Sequence, residues 1–495
     1  MPHIGLRRWT CSRNGVELHV FQFRNAINMI SRFCQSVSLW WISKCGGREV
    51  LWIAIPLIIS SGTWAIMNFA DRVFLTWYNP IATGATLAAG SYFFVIVAIP
   101  FGIMTLTNAF VSQYYGAGQH QRIGPAVWQG VFLSFLLIPI YILAEPMFAS
   151  VFTWFNHEPE LVAAERQYLR ISIYSVGALV ANEALQAFFI GRGKMHVVMV
   201  ISLISLLLNV VLDYCWIFGL WGFPEWGIAG AAAATTVSIW VKFLLFLAMM
   251  CLASGKNDKF HVWRGFKIDT VIMKRLLWFG IPAGLEFVLE HGCFTMFSLL
   301  VGTIGKDALA ATSIAFSLNA LSFMPIIGMG LAVMSMVGNE LGRNRPDLAS
   351  KAAISALIIS LVSNMFLMIF YVFFPGLLIY AYTAYSNPED IIPIRDMTIV
   401  ILRFVAVYLL FDGISLTFMS VIKGAGDTFF LLAATLIMAP ILPLACYIGI
   451  KWYGLGLYGC WTIMTIWICL FAMIFIVRFW SGRWKTKRVI EPELL

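Results

Sequence analysis

Residues 276–301 read LLWFGIPAGLEFVLEHGCFTMFSLLV. At about 1.5 Å per residue this apolar run extends roughly 39 Å, more than the ~30 Å hydrocarbon core of a bilayer. It nevertheless carries Glu286 and Glu290 near its middle. Four residues apart, the two carboxyls share one face of a helix. Charge at mid-membrane costs roughly 2.5–3.5 kcal/mol on insertion scales, so such groups face a protein interior or a wet cavity. There they bind, relay or gate something; the plain alternative is a pair of protonated carboxyls hydrogen-bonded to neighbouring helices.

The surrounding chain has the same character. It has 495 residues, 60% of them hydrophobic and only 12% charged, half the charge of a soluble domain. No strand-like alternation is visible, so the fold class is all-α and polytopic in a membrane. The net charge of +9 does not indicate nucleic-acid binding, because most Lys and Arg fall in short loops and tails, where they set topology. The nine cysteines (11, 34, 45, 215, 251, 293, 446, 460 and 469) show no CxxC and no metal-ligand spacing. Neither a nucleophile–base pair nor a nucleotide-binding loop is legible, so no enzyme activity and no cofactor are expected.

Twelve spans are predicted at about 50–75, 85–111, 126–149, 168–190, 196–220, 228–253, 276–301, 308–338, 350–381, 398–422, 429–450 and 455–479. Even-numbered loops carry Arg122, Arg192, Lys194, the cluster from Lys256 to Arg275, Arg343, Arg345, Lys351 and Lys423. Odd-numbered loops carry Glu145, Glu158, Glu160, Glu225, Glu389 and Asp390. The positive-inside rule therefore puts both termini of this multi-pass cell-membrane protein in the cytoplasm. The division expected is a basic extension at 1–46, an N-lobe at 47–253, a loop at 254–274, a C-lobe at 275–480 and a basic tail at 481–495. Within the extension, residues 21–41 are compatible with an amphipathic surface helix; the favoured reading is a disordered, dispensable leader or an over-called start codon.

The halves repeat. LWIAIP (51–56) corresponds to LWFGIP (277–282), and LAA (87–89) to LAA (309–311). VSQYYGAGQ (111–119) corresponds to VGNELGRNR (337–345), GRGKM (191–195) to GAGDT (424–428), and GIAGAA (227–232) to GLYGCW (456–461). Six spans per half is an even number, so the repeats are parallel, with a central cleft between two pseudo-symmetric six-helix lobes. Rocking such lobes gives alternating access.

In order and spacing, these doubled motifs resemble the multidrug and toxic compound extrusion (MATE) transporters over about 430 residues. The Q/N-x-x-G signatures after spans 2 and 8 (Gln113–Gly116, Asn339–Gly342) carry the match, with the doubled IP and the G-x-G turns after spans 4 and 10. Glu290, eight residues after Pro282, and Asp412 in span 10 point to the NorM-like branch. The resemblance implies a secondary antiporter of a bacterial inner membrane that exports organic cations in exchange for Na⁺ or H⁺. It implies Glu290, Asp412 and Tyr408 as the cation-coupling set of the C-lobe, and Asp71, Asn209 and Asp213 as that of the N-lobe. Asp213 departs from the NorM-like pattern, where Asn is expected, and leaves the coupling ion open. The wider superfamily also includes flippases for lipid-linked oligosaccharides, the alternative function; these need a cationic cleft, whereas the embedded charges here are mostly acidic.

Read by themselves, these oxygen-bearing residues suit hard cations, and close carboxylates also exchange protons. For Asp71 two readings stand: a coupling carboxylate, or an ion pair with Arg72 near the membrane surface. Glu286 and Glu183 are cavity candidates; Glu183 alternatively pairs with Arg192 or Lys194. His291 is expected to point away from Glu290, since neighbours on a helix do not face alike. The expected partners are small organic cations and membrane lipids, with no nucleic acid, and the chain is expected to be a monomer.

Overall fold

The computed structural model describes residues 35, 37–155, 158–255, 257–383 and 388–491. Among these residues all the regular elements are helices, and they form twelve apolar spans. Spans 1–6 are Gly47–Tyr78, Pro80–Thr105 continued by Thr107–Gly116, Ile123–Ser150, Pro159–Ile173 continued by Val176–Ile190, Met195–Phe218 and Ile228–Ser254. Spans 7–12 are Thr270–Gly302, Lys306–Gly342, Pro346–Phe373, Pro388–Ala425, Thr428–Met438 continued by Ile441–Tyr453, and Leu457–Trp480. The two parts of span 4 meet at 45°, and only together do they cross a membrane.

Several spans run further than hydropathy alone predicts. Span 7 begins at Thr270 because the Asp269 carboxylate caps it, accepting from the amides of Val271 (3.0 Å) and Ile272 (3.2 Å). Such a cap satisfies donors that the first helical turn leaves open. Both Q/N-x-x-G signatures lie in the last turns of their helices rather than beyond them. The 254–269 loop is tied to span 3: Gly124 N–H donates to Phe260 O, Trp128 Nε1 to Val262 O and Gln129 Nε2 to Lys267 O. Within that loop, burial opposes the charge on Asp258. Hydrogen bonds from Ser254 and the amides of Arg264, Trp263 and Val262 win, holding its carboxyl below the usual range.

Most of the 21–41 stretch lies outside the described residues. The segment that follows is docked: Trp40 Nε1 donates to Ser355 Oγ in span 9 (2.9 Å), and Lys44 pairs with Glu340 at the end of span 8 (3.0 Å).

The halves meet where span 1 lies against span 8 and span 2 against span 7. With twelve spans, residues 47 and 480 lie at the same end of the bundle, here called the terminal end. The seam is tightest there. Ser112 Oγ lies 3.2 Å from Ser335 Oγ, Gln113 Nε2 donates to Gly424 O (2.9 Å), and Asn339 Nδ2 donates to Gly191 O (3.0 Å). The two signatures cross at this point. A Cβ on Gly116 would sit 2.1 Å from Asn339 O, and one on Gly342 would sit 2.2 Å from Gln113 O. Each half's glycine makes room for the other half's backbone, as small residues do where membrane helices approach closely. Further along, Ser61 Oγ donates to Met324 O across the halves at mid-span (3.0 Å).

Residues 488–491 cover the same seam. Val489 N–H donates to Gln113 Oε1, and Arg275 donates to the carbonyls of Val489 and Ile490 (2.8 Å each). Tyr114 Oη donates to Glu491 (2.8 Å), and Val489 and Ile490 are fully buried. Val489→Asp places a charge in that dry contact, and an uncompensated buried charge costs about 3–5 kcal/mol. The tail is expected to detach, so amide exchange at 489–491 should rise to that of an open chain end. Unchanged protection would show that the tail is held by something other than this burial.

Candidate functional site

In the first half, three spans converge on Asp71. Its Oδ2 accepts from Thr235 Oγ1 of span 6 (3.1 Å), and that hydroxyl in turn accepts from Asn209 Nδ2 of span 5 (3.2 Å). Asp213, one turn after Asn209, faces Asp71 within side-chain interaction reach. Asp71, Asn209 and Asp213 are all buried. Asp71 Oδ1, Asn209 Oδ1 and both carboxyl oxygens of Asp213 accept no well-aligned hydrogen bond, although the Asn209 amide and the two carboxyls stand within side-chain reach of one another. Buried acceptors are normally satisfied, and two facing carboxylates repel unless a proton or cation joins them. Arg72 is exposed while the Asp71 side chain turns into the bundle, and the two charges remain within electrostatic reach. Tyr168 of span 4 lies within electrostatic reach of both carboxyls.

The second half gathers Glu290 of span 7 with Asp412 and Tyr408 of span 10. Asp412 is within charge–charge reach of Glu290 and of Tyr408. Tyr408 is buried and stacked on Trp461 at 6.4 Å between ring centroids. Tyr408 Oη and Asp412 Oδ2 have no donor from the chain. His291 turns away from Glu290 as expected: its Nδ1 meets Phe287 O (2.9 Å) and its ring packs on Phe287 and Phe94.

Glu286 and Glu183 each have a lysine. Glu286 Oε2 lies 2.8 Å from Lys423 Nζ, off the line of a hydrogen bond. Lys423 is therefore not a free loop cation; it belongs to the last turn of span 10, with its ammonium turned inward. Glu183 is within charge–charge reach of Lys242 in span 6, and its side chain meets Gln186. The alternative partner Arg192 is engaged elsewhere, flat against the rings of Phe188 (3.7 Å) and Phe260 (4.4 Å). The geometry places an acidic cluster in each half, and each half also holds a carboxylate–lysine pair, which in the second half adjoins the cluster through Glu290.

A family profile described as MatE matches residues 56–215 and again 282–448, once in each half. The chain belongs to the MATE family of transporters. A probable multidrug resistance protein NorM of Bradyrhizobium diazoefficiens is 27% identical over 442 residues, covering 87% of this chain and 92% of that one. Among solved structures, an outward-facing multidrug resistance MATE transporter of the MOP superfamily superposes with a TM-score of 0.81 at 21% identity, covering 90% of this chain and 98% of that one. A MOP superfamily transporter of Pyrococcus furiosus, described as having a binding pocket of reversed polarity that suggests a different function, gives 0.80 at 21% identity. It covers 90% of this chain and 97% of that one. Within the family this MATE transporter falls in the NorM-like branch; it is a transporter and not an enzyme.

Sequence reasoning missed four members of these clusters. Lys242 was legible as a lone charge inside the apolar run of span 6. Thr235 was visible only as a hydroxyl in an alanine-rich stretch, and Tyr168 as an aromatic at the start of a span. Lys423 was hidden by its position, because a cation at a span end reads as a topology marker.

Proposed function

We propose that this MATE transporter is a secondary antiporter that exports amphipathic organic cations while Na⁺ or H⁺ returns. The observation that carries the reading is the set of four buried oxygens on Asp71, Asn209 and Asp213 that accept no well-aligned hydrogen bond. Such a set gains a proton or a hard cation readily. Na⁺ is assigned to Glu290, Asp412 and Tyr408, and a separate protonation step to Asp71 and Asp213. An entering ion favours one arrangement of the lobes and a cationic cargo the other; such differential binding is what biases a two-state equilibrium.

The distribution of Lys and Arg supports a cytoplasmic terminal end, and likeness to a bacterial NorM relative supports a bacterial inner membrane. With the seam closed at that end, the arrangement is outward-facing. The name of the Bradyrhizobium relative agrees with multidrug export. Transport is assigned to the monomer.

The test is efflux of a fluorescent organic cation from proteoliposomes under an imposed Na⁺ gradient without ΔpH, and then the reverse. Efflux driven by Na⁺ is expected. Efflux driven by ΔpH alone would move the coupling to H⁺. No cation efflux under either gradient, with movement of a lipid-linked oligosaccharide instead, would establish the flippase alternative.

A further inference from the structure

The proposed coupling set leaves out Lys423, whose position connects the acidic cluster of the second half to the seam. Its Nζ is 2.8 Å from Glu286 Oε2, and the two side chains are 16% and 1% exposed. Glu290, one turn along span 7, is within charge–charge reach of Glu286, Lys423 and Asp412. The residue after Lys423 is Gly424, whose carbonyl accepts from Gln113 across the closed seam. A single ammonium therefore sits at the base of an otherwise acidic column, beside the joint that must open if cargo is to enter from the terminal end.

The chemistry of this pair differs from that of a structural clamp. A buried ion pair adds little stability over apolar packing, because desolvation offsets the attraction. Lysine is a compact charge on a flexible four-carbon stem, so it can leave and return, which a planar, forked guanidinium does less readily. Its charge is also that of a monovalent organic cation.

We propose that Lys423 is a tethered competitor for the cargo. It occupies Glu286 while the terminal-end seam is closed, and an organic cation admitted to the column displaces it. This inference rests on the reading of the protein as an organic-cation exporter. A competitor that fills the site most of the time lowers apparent affinity by the fraction of protein left free. Lys423 then sets how tightly a monocation binds and keeps the column from holding its cargo too firmly to release it.

The test is equilibrium binding of radiolabelled tetraphenylphosphonium, a monovalent organic cation, to the full chain in nanodiscs. Lys423→Met is expected to lower the dissociation constant about tenfold, the effect of freeing a site occupied roughly nine-tenths of the time. Glu286→Gln/Lys423→Met removes both charges and leaves none unpaired; it is expected to return within a few-fold of wild type. Glu286→Gln alone frees the ammonium to oppose the probe at Glu290, and weaker binding is expected. The Glu286→Gln result keeps the proposal testable if Lys423→Met fails to fold. Binding by Lys423→Met no tighter than wild type overturns the proposal, as does wild-type or tighter binding by Glu286→Gln. A double variant that keeps the full gain does so too. Wild-type protein that binds no probe overturns the exporter reading itself, and the proposal falls with it.

Discussion

Glu290→Gln combined with Asp412→Asn is expected to remove Na⁺-driven export while the protein still inserts and folds. Both side chains keep their shape as amides and lose only the negative charge. Among the described residues neither carboxylate makes a salt bridge: of the acids in this cluster, the one in ion-pair contact is Glu286, with Lys423. Two charge-assisted contacts at about 1.5–3 kcal/mol each correspond to a loss of roughly a hundredfold or more in ion-dependent rate. The readout is initial efflux from proteoliposomes under a Na⁺ gradient, with thermal stability in detergent measured in parallel. Wild-type rate in the double variant would remove the ion from this half. Asp213→Asn serves as the complementary case. It leaves the amide pattern expected of the NorM-like branch, so the Na⁺-driven component should persist while any H⁺-driven component falls. Loss of the Na⁺-driven component instead would place the essential site on Asp71, Asn209 and Asp213.

Ser112→Cys with Ser335→Cys is expected to cross-link and to arrest transport until a reductant is added. The two hydroxyl oxygens are 3.2 Å apart across the seam, and disulfides form readily when Cβ atoms come within about 3.5–4.5 Å. A bond at that point holds the terminal end shut, so alternating access stops. Gly342→Val is the opposite manipulation. Even its first added carbon would sit 2.2 Å from Gln113 O, and a backbone carbonyl has little room to move aside. The halves should separate at the terminal end. Cross-linking of the cysteine pair should then fall at least about tenfold, which corresponds to a shift of roughly 1.4 kcal/mol in the closed population. Full cross-linking in the Gly342→Val background would mean that the signatures do not control closure. Continued transport by the cross-linked protein would mean that the terminal end does not open during the cycle.

The sequence by itself determined the number of spans, because long apolar runs separated by polar breaks leave a bilayer-crossing chain no other regular form. It also determined the two-fold repeat, since doubled motifs at a near-constant offset need no structure to be seen, and it singled out Asp71, Asp213, Glu286, Glu290 and Asp412, because charge inside an apolar run is costly wherever it points. The partners of those charges were decided by tertiary structure alone. Which lysine neutralises Glu286 depends on how spans 7 and 10 lie side by side, and Lys423 stands 137 residues away from it in the chain. Asp71 turns from Arg72 toward Thr235 because packing against spans 5 and 6 buries that face of span 1. The signature glycines were legible as motifs, but their purpose was not. It lies in an approach of two backbones, Gly116 against Asn339 and Gly342 against Gln113, that exists only once the two halves have met.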